Sequence, residues 1–174
     1  SAGPNLTPSR QAFATATTTG AKESSGPSGE GKAFSHLPAE QLEAAVQILE
    51  GVNVLRISKG QPPLEVDDGL MSIAYVRAMD MSTRRYLGHF DPDTAEPMAW
   101  SMMTRAGYGG VLAENVCEAS TGLEGLAEAT VQAWSNSPQH AAVLLNADLK
   151  YTGLGLAGDD EQWVVVQVFA ESRP

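Results

Sequence analysis

Cysteine is nearly absent from this sequence. Cys117 is the single cysteine among 174 residues, so no disulfide can form within the chain. Its neighbours Val116 and Glu118 complete neither a metal-binding nor a redox motif. We therefore expect Cys117 to be a half-buried residue that packs as a small apolar side chain.

Basic residues and long apolar runs are also scarce. The chain has 11 Lys and Arg against 21 Asp and Glu, which gives a formal net charge of −10. This balance argues against nucleic acid and anionic membrane surfaces as main partners. No apolar run approaches the length of a membrane span, so no membrane-crossing segment is predicted. The hydrophobic fraction of 43% is ordinary for a globular domain.

The first part of the chain lacks the residues that build a core. Residues 1–35 contain no Val, Ile, Met, Trp or Tyr. Such a segment cannot bury enough apolar surface to offset the entropy of ordering it. We predict that residues 1–36 form a flexible Ser/Thr/Gly/Pro-rich leader or tether, with His36 as a plain surface residue at its end. Residues 37–171 then form the folded domain.

A truncation tests this division of the chain. Deleting residues 1–35 should leave the thermal unfolding midpoint nearly unchanged, because the segment contributes no buried apolar contacts. Differential scanning calorimetry of the full and truncated chains measures the difference. A large fall in the midpoint would contradict the prediction.

Apolar spacing places helices first and strands last. Helices are predicted over 37–57, from Asp67 or Asp68 to before Gly88, from Pro97 to Gly107, and over 123–134. Strands are predicted over 111–116, 152–157 and 163–169, the last two forming a hairpin. The expected core residues of the first two helices are Leu42, Ala45, Val46, Leu49, Val52, Leu70, Met71, Ile73, Ala74, Ala78, Met79 and Met81. This order is typical of an α+β domain with helices packed on a sheet.

The segment Trp134–Asn146 contains the most unusual local pattern. Ser137 and Pro138 are predicted as the N-cap and first position of a short helix. His140 then falls in the first turn, where the helix fixes its direction. Considered alone, this segment favours a surface histidine near a helix start.

Several motifs, in a shared order, resemble the bacterial branch of the CAP superfamily, which includes cysteine-rich secretory, antigen 5 and pathogenesis-related 1 proteins. The bacterial members are SCP-like extracellular proteins, and the similarity covers about residues 38–171. The motifs are Asn53-x-x-Arg56, Pro63-Leu64, Asp67-x-x-Leu70, Ala78-x-Asp80-Met81, His89-x-Asp91-Pro92, Gly107-Tyr108, Glu114-Asn115-Val116, Trp134-x-Asn136-Ser137-Pro138-x-His140-x-x-x-Leu144-Leu145-Asn146, Thr152-Gly153-x-Gly155 and Trp163-Val164-x-Val166-Gln167-Val168-Phe169.

The resemblance implies a fold and a site. The fold would be a three-layer α-β-α sandwich with a central antiparallel sheet. The family's cleft holds two His and two Glu, and three of these positions match His89, Glu114 and His140. They are the candidate metal ligands, for Zn²⁺ or another divalent cation, and the candidate catalytic residues. Asn115 and Gln167 are expected to orient the site.

The sequence departs from the family at the second glutamate. Ser137 occupies that position, which puts in doubt any mechanism that needs two glutamates. Asp91, close to His89, is an alternative source of a second carboxylate.

Three functions remain open at this stage. The first is a secreted or surface-tethered module whose His/Glu cleft binds a divalent cation, a small ligand or an envelope component. The second is a metal-assisted, peptidase-like hydrolase with Glu114 as general base. The third, suggested by some relatives, is a sterol or lipid carrier. A serine hydrolase is disfavoured, because Ser135 and Ser137 lie in no nucleophile-elbow motif. An extracellular or cell-envelope location is inferred from the resemblance alone.

Overall fold

The computed structural model describes residues 37–159 and 161–174, so the predicted leader and His36 lie outside the described residues. Its five helices are α1 (Ala39–Ser58), α2 (Asp68–Arg84), α3 (Met98–Arg105), α4 (Leu123–Asn136) and α5 (Pro138–Leu144). Its four strands are β1 (Glu65–Val66), β2 (Gly109–Ala119), β3 (Tyr151–Gly158) and β4 (Trp163–Ser172).

The strands form one sheet in the order β1-β3-β4-β2. Strand β4 is central and pairs antiparallel with both β3 and β2. The predicted hairpin is therefore confirmed. The short strand β1 pairs parallel with β3, so the sheet is mixed rather than purely antiparallel. This occurs because the chain crosses from α1 to α2 through a two-residue extended link that runs alongside β3.

Strand β4 divides the core into two halves. Val164, Val166 and Val168 face a cluster that contains the buried side chains of α2 and α3. Val165 and Phe169 face the other cluster, built with α1, α4 and α5. Alternate side chains of a strand point to opposite faces, so helices cover both faces. The predicted three-layer α-β-α architecture is confirmed.

Most predicted core positions are buried; the exceptions are the exposed Leu42 and Met79 and the half-buried Val46. In α2, Met79 is 42% exposed. The other predicted core residues of this helix are all buried, namely Leu70, Met71, Ile73, Ala74, Ala78 and Met81. Leu42 of α1 is 37% exposed, and the buried face of that helix instead passes through Ala44 and Ile48. The predicted burial of Leu42 and Met79 was wrong because both lie at the margin of the apolar face. A small rotation of the helix there buries a neighbouring residue instead.

Two glycines bring α2 close to the sheet. A Cβ built on Gly153 would lie 2.0 Å from the carbonyl carbon of Leu70, and one on Gly155 would lie 2.2 Å from that of Ala74. The backbone of α2 therefore lies directly against β3, where no other residue has room. This contact fixes α2, and with it the loop that carries His89.

Candidate functional site

His89 lies in the loop between α2 and α3. The loop folds back on itself, because Phe90 and Pro97 form an isolated antiparallel bridge. The amide of Met98 donates to the carbonyl of His89 at 3.2 Å. These bonds hold the backbone of His89 although no helix or strand contains it. The imidazole remains 49% exposed.

A buried arginine and a carboxylate hold the His89 ring. The Nδ1 of His89 lies 2.8 Å from Oε2 of Glu114, and Nε of Arg77 donates to Oε1 of Glu114 at 3.0 Å. Both carboxylate oxygens are thus engaged. The hydrogen bond that the His89 ring donates to Glu114 is the main cause that raises the pKa of His89 above its usual range. Because Nδ1 of His89 is bonded to Glu114, Nε2 is the nitrogen of this ring that is available to a ligand.

Arg77 forms hydrogen bonds with several parts of this site. Its side chain is fully buried and also donates to the hydroxyl of Tyr86 at 2.9 Å and to the carbonyl of Gly88 at 2.8 Å. Burial lowers the pKa of Arg77, but the charge of Glu114 and the hydrogen bond to it outweigh this effect and raise the pKa. Arg77 therefore holds the strand residue Glu114 and the loop next to His89 together.

Asp91 is engaged elsewhere. Its Oδ2 accepts from Arg84 at 2.6 Å, and its Oδ1 accepts from the amides of Asp93 and Thr94 at 2.8 Å each. The bond from Arg84 is the first cause that holds the pKa of Asp91 well below its usual range. The carboxylate of Asp91 thus stabilises the turn rather than supplying the second carboxylate of the site.

His140 is held by α5 on the other side of the sheet edge. Ser137 is the N-cap residue and Pro138 opens the helix, as predicted, but the hydroxyl of Ser137 makes no capping hydrogen bond. Asn115 of β2 donates to the carbonyl of His140 at 3.2 Å. Burial lowers the pKa of His140, and the nearby charge of His89 lowers it further. The charged form of His89 therefore disfavours protonation of His140.

Gln167 and Cys117 form their side-chain hydrogen bonds with residues outside this site, Thr152 and Thr130. Gln167 is fully buried and donates to the hydroxyl of Thr152 at 3.0 Å, so it stabilises the β3–β4 pair. Cys117 is half-buried, as predicted, and burial raises the pKa of its thiol to about 11. A thiol with this pKa is a poor nucleophile near neutral pH.

Among the described residues, the buried Nδ1 of His140 has no hydrogen-bond partner, so this nitrogen could serve as a ligand to a cation. Among residues 37–159 and 161–174, no three His, Cys, Asp or Glu side chains group closely enough to hold a metal ion. Glu114 instead lies behind His89, in the position of the carboxylates that orient metal-binding histidines from outside the coordination shell. The three-ligand set of His89, Glu114 and His140 stays a prediction.

An apolar groove of about 300 Å³ begins at His89 and Glu114. Side chains of α3, β2 and α5 form its walls, and the indole of Trp100 on its rim is 55% exposed. The residues that line it are His89, Pro97, Ala99, Trp100, Met103, Leu112, Ala113, Glu114 and Val143.

Two buried arginines had not been predicted as structural supports. Arg56 is fully buried in α1 and donates to the carbonyls of Leu144 and Asn146, at the end of α5. Arg77 plays the corresponding part for His89. Each arginine occupies a position on the apolar stripe of its own helix, and a charge at such a position is a signal of a buried polar contact.

The comparisons with known proteins agree with this architecture. The model of the CAP family, described as the cysteine-rich secretory protein family, matches residues 49–169. The chain therefore belongs to the CAP family, and its structural neighbours include bacterial SCP domains.

Relatives and solved structures extend this result. The uncharacterized protein YkwD of Bacillus subtilis (strain 168) is 28% identical over 118 residues, which are 67% of this chain and 44% of that protein. An extracellular protein of Bacillus anthracis str. Ames that contains an SCP domain is similar with a TM-score of 0.61 and 24% identity, covering 75% of this chain and 41% of that one. A crystal structure of NaASP2 with Zn²⁺ gives a TM-score of 0.55 and 15% identity, covering 81% of this chain and 84% of that one.

Two further facts concern the length of the chain compared with that of a relative and the apolarity of its helices. The chain spans less than half the length of the B. subtilis relative. None of the helices among the described residues combines the length and the apolarity that a bilayer crossing requires.

Proposed function

We propose that this CAP domain binds a divalent cation or a small polar ligand in the cleft between His89 and His140. The observation that carries the proposal is the chain of contacts from Arg77 through Glu114 to Nδ1 of His89. It orients a half-exposed imidazole and leaves Nε2 for the ligand. A carboxylate in this position also increases the basicity of a ligating histidine.

Zn²⁺ suits this donor set best. Neutral imidazole nitrogens are among its preferred ligands, and open positions remain for water or another ligand. His89 and His140 would hold the ion, with Glu114 as the outer support. The ion would supply a Lewis acid, while Arg77 and Glu114 hold the His89 ring in place. NaASP2 has been crystallised with Zn²⁺, which supports zinc as the first cation to test.

The location of this activity is part of the proposal. The B. anthracis neighbour is an extracellular protein, which favours a secreted or envelope-associated CAP domain that acts through binding. Both oxygens of Glu114 already accept hydrogen bonds, which disfavours this carboxylate as the general base of a hydrolase.

Isothermal titration calorimetry with ZnCl₂ tests the cation site. The wild-type chain should bind saturably, and His89→Ala or His140→Ala should remove most of the affinity. Glu114→Gln should weaken binding by about 10–100-fold, the usual cost of losing an outer-shell partner.

His36→Ala is the matched control, because it removes the remaining histidine of the chain. It should bind zinc as the wild type does, and circular dichroism should show that all variants are folded. Equal zinc affinity in the wild type and in His140→Ala would remove the proposed site.

A further inference from the structure

Strand β2 is an edge strand with an open stretch beside the groove. Within residues 37–159 and 161–174, β2 pairs with β4 alone. No other backbone–backbone hydrogen bond reaches its residues 111–119 among those described. Residues Val111 to Glu114 are only half-buried. The outward-facing amides and carbonyls of this stretch can therefore pair with another chain.

The open stretch is short because both of its ends are interrupted. The ladder with β4 is irregular between Gly109 and Leu112, and Gly110 has a φ of 69°. At the other end, Asn115 and Val116 are buried and Glu118 is exposed. Bulges and charges of this kind limit the pairing of an edge. The stretch suits a short segment rather than indefinite sheet growth.

The groove lies next to this edge. Leu112, Ala113 and Glu114 belong to both the edge and the groove wall. Trp100 lines the groove and is 55% exposed, and Phe90, which is 60% exposed, forms a bridge with the groove residue Pro97. Exposed aromatic side chains beside an apolar depression are typical of a recognition surface. A strand added to Leu112–Glu114 would place alternate side chains toward the groove.

We propose that the cleft binds an extended peptide, which adds as a strand to the outer edge of β2 at Leu112–Glu114. One apolar side chain of the peptide occupies the groove between Trp100, Met103 and Val143. The main-chain hydrogen bonds provide affinity, and the groove selects the side chain. Because the chain carries a net charge of −10, basic residues flanking the apolar one favour binding. Binding of this kind does not require a cation.

Tryptophan fluorescence gives a direct readout. Trp134 and Trp163 are 0% and 4% exposed, whereas Trp100 is 55% exposed. The probe is the acetylated and amidated heptapeptide Lys-Thr-Val-Leu-Val-Thr-Lys, titrated into the full chain with EDTA present. Saturable shielding of Trp100 from acrylamide quenching is expected.

N-methylation of the probe distinguishes strand addition from other modes of binding. Methyl groups on the alternate amides that face β2 should abolish binding, while methyl groups on the intervening amides should leave it unchanged. The same loss for both sets, or for neither, would overturn the proposal. Failure of the zinc test would not affect this result, because EDTA is present throughout.

Two protein variants locate the site. Because one of them lacks Trp100, binding is measured by the fluorescence anisotropy of a labelled probe instead of by intrinsic fluorescence. Trp100→Ala should weaken binding by about tenfold, as expected for a central aromatic contact. Ile57→Ala is the control, because Ile57 is also an exposed apolar residue but lies on α1, away from the groove residues. This variant should bind as the wild type does. Equal affinities for the two variants would overturn the proposal.

Other occupants of the edge would also be detected. Sedimentation velocity should show a monomer over the concentration range of the titration. A dimer that Trp100→Ala dissociates would assign the edge to a second copy of the chain and overturn the peptide proposal. Binding that appears only after residues 1–36 are removed would assign the edge to that segment, with the same consequence.

Discussion

Gly155→Ala is expected to lower the free energy of unfolding by about 3 kcal/mol or more, at the upper end of the cost of overpacking a core. The added Cβ would lie 2.2 Å from both the carbonyl carbon and the carbonyl oxygen of Ala74. These are backbone atoms in the middle of α2, so no side-chain rotation relieves the overlap. Either α2 or β3 must move, and the buried contacts between them are lost. Urea denaturation followed by circular dichroism measures the change.

Gly88→Ala is the matched control for this substitution. A Cβ at Gly88 meets no atom within 4 Å, and its φ is not in the left-handed region. The same chemical change should therefore shift the free energy of unfolding by only about 0.5 kcal/mol, as is usual for surface substitutions. Similar losses in the two variants would show that α2 is not packed directly against β3.

Arg77→Met is expected to destabilise the domain by about 3–5 kcal/mol, the usual cost of breaking a buried ion pair by removing one partner. The substitution keeps an apolar stem but removes the donors to Glu114, Tyr86 and Gly88. Glu114, whose side chain is only 6% exposed, then has a buried charge without its cation. The midpoint of urea unfolding should fall accordingly.

Arg84→Met provides the comparison on the same helix. Arg84 is partly exposed and pairs with Asp80, Asp91 and Asp93. Solvent-exposed ion pairs contribute little to stability, so its urea midpoint should remain close to that of the wild type. If the loss in Arg77→Met were no larger than in Arg84→Met, the buried network would not be a stabilising element.

Local patterns were sufficient for the helices and the hairpin. The N-cap was predicted at Asp67 or Asp68 and is Asp67, whose side chain accepts from the amide of Leu70. The apolar stripe of α2 is buried because helical period and packing agree there. The stripe of α1 was harder to place, since exposed Val54 and Ile57 widen its apolar face. Period alone does not show which side of a wide apolar face turns inward.

The site depended on information that local patterns do not contain. His89 and Glu114 are 25 residues apart, and Arg77 and Glu114 are 37 apart. Only the pairing of β2 in the sheet and the close packing of α2 bring them together. The family resemblance supplied His89, Glu114 and His140, while the supporting roles of Arg77 and Arg56 required the tertiary contacts. The open edge of β2 likewise became visible only when the strand order was known.

The position of the two histidines has a thermodynamic consequence. His89 comes from the layer of α2 and α3, and His140 comes from the opposite layer of α1, α4 and α5. A ligand that contacts both rings therefore joins two helical layers around the edge of the sheet. Because such a ligand binds only the folded chain, a concentration 100 times its Kd would add about 2.7 kcal/mol to the free energy of unfolding. The melting temperature of the domain would then report the occupancy of the cleft.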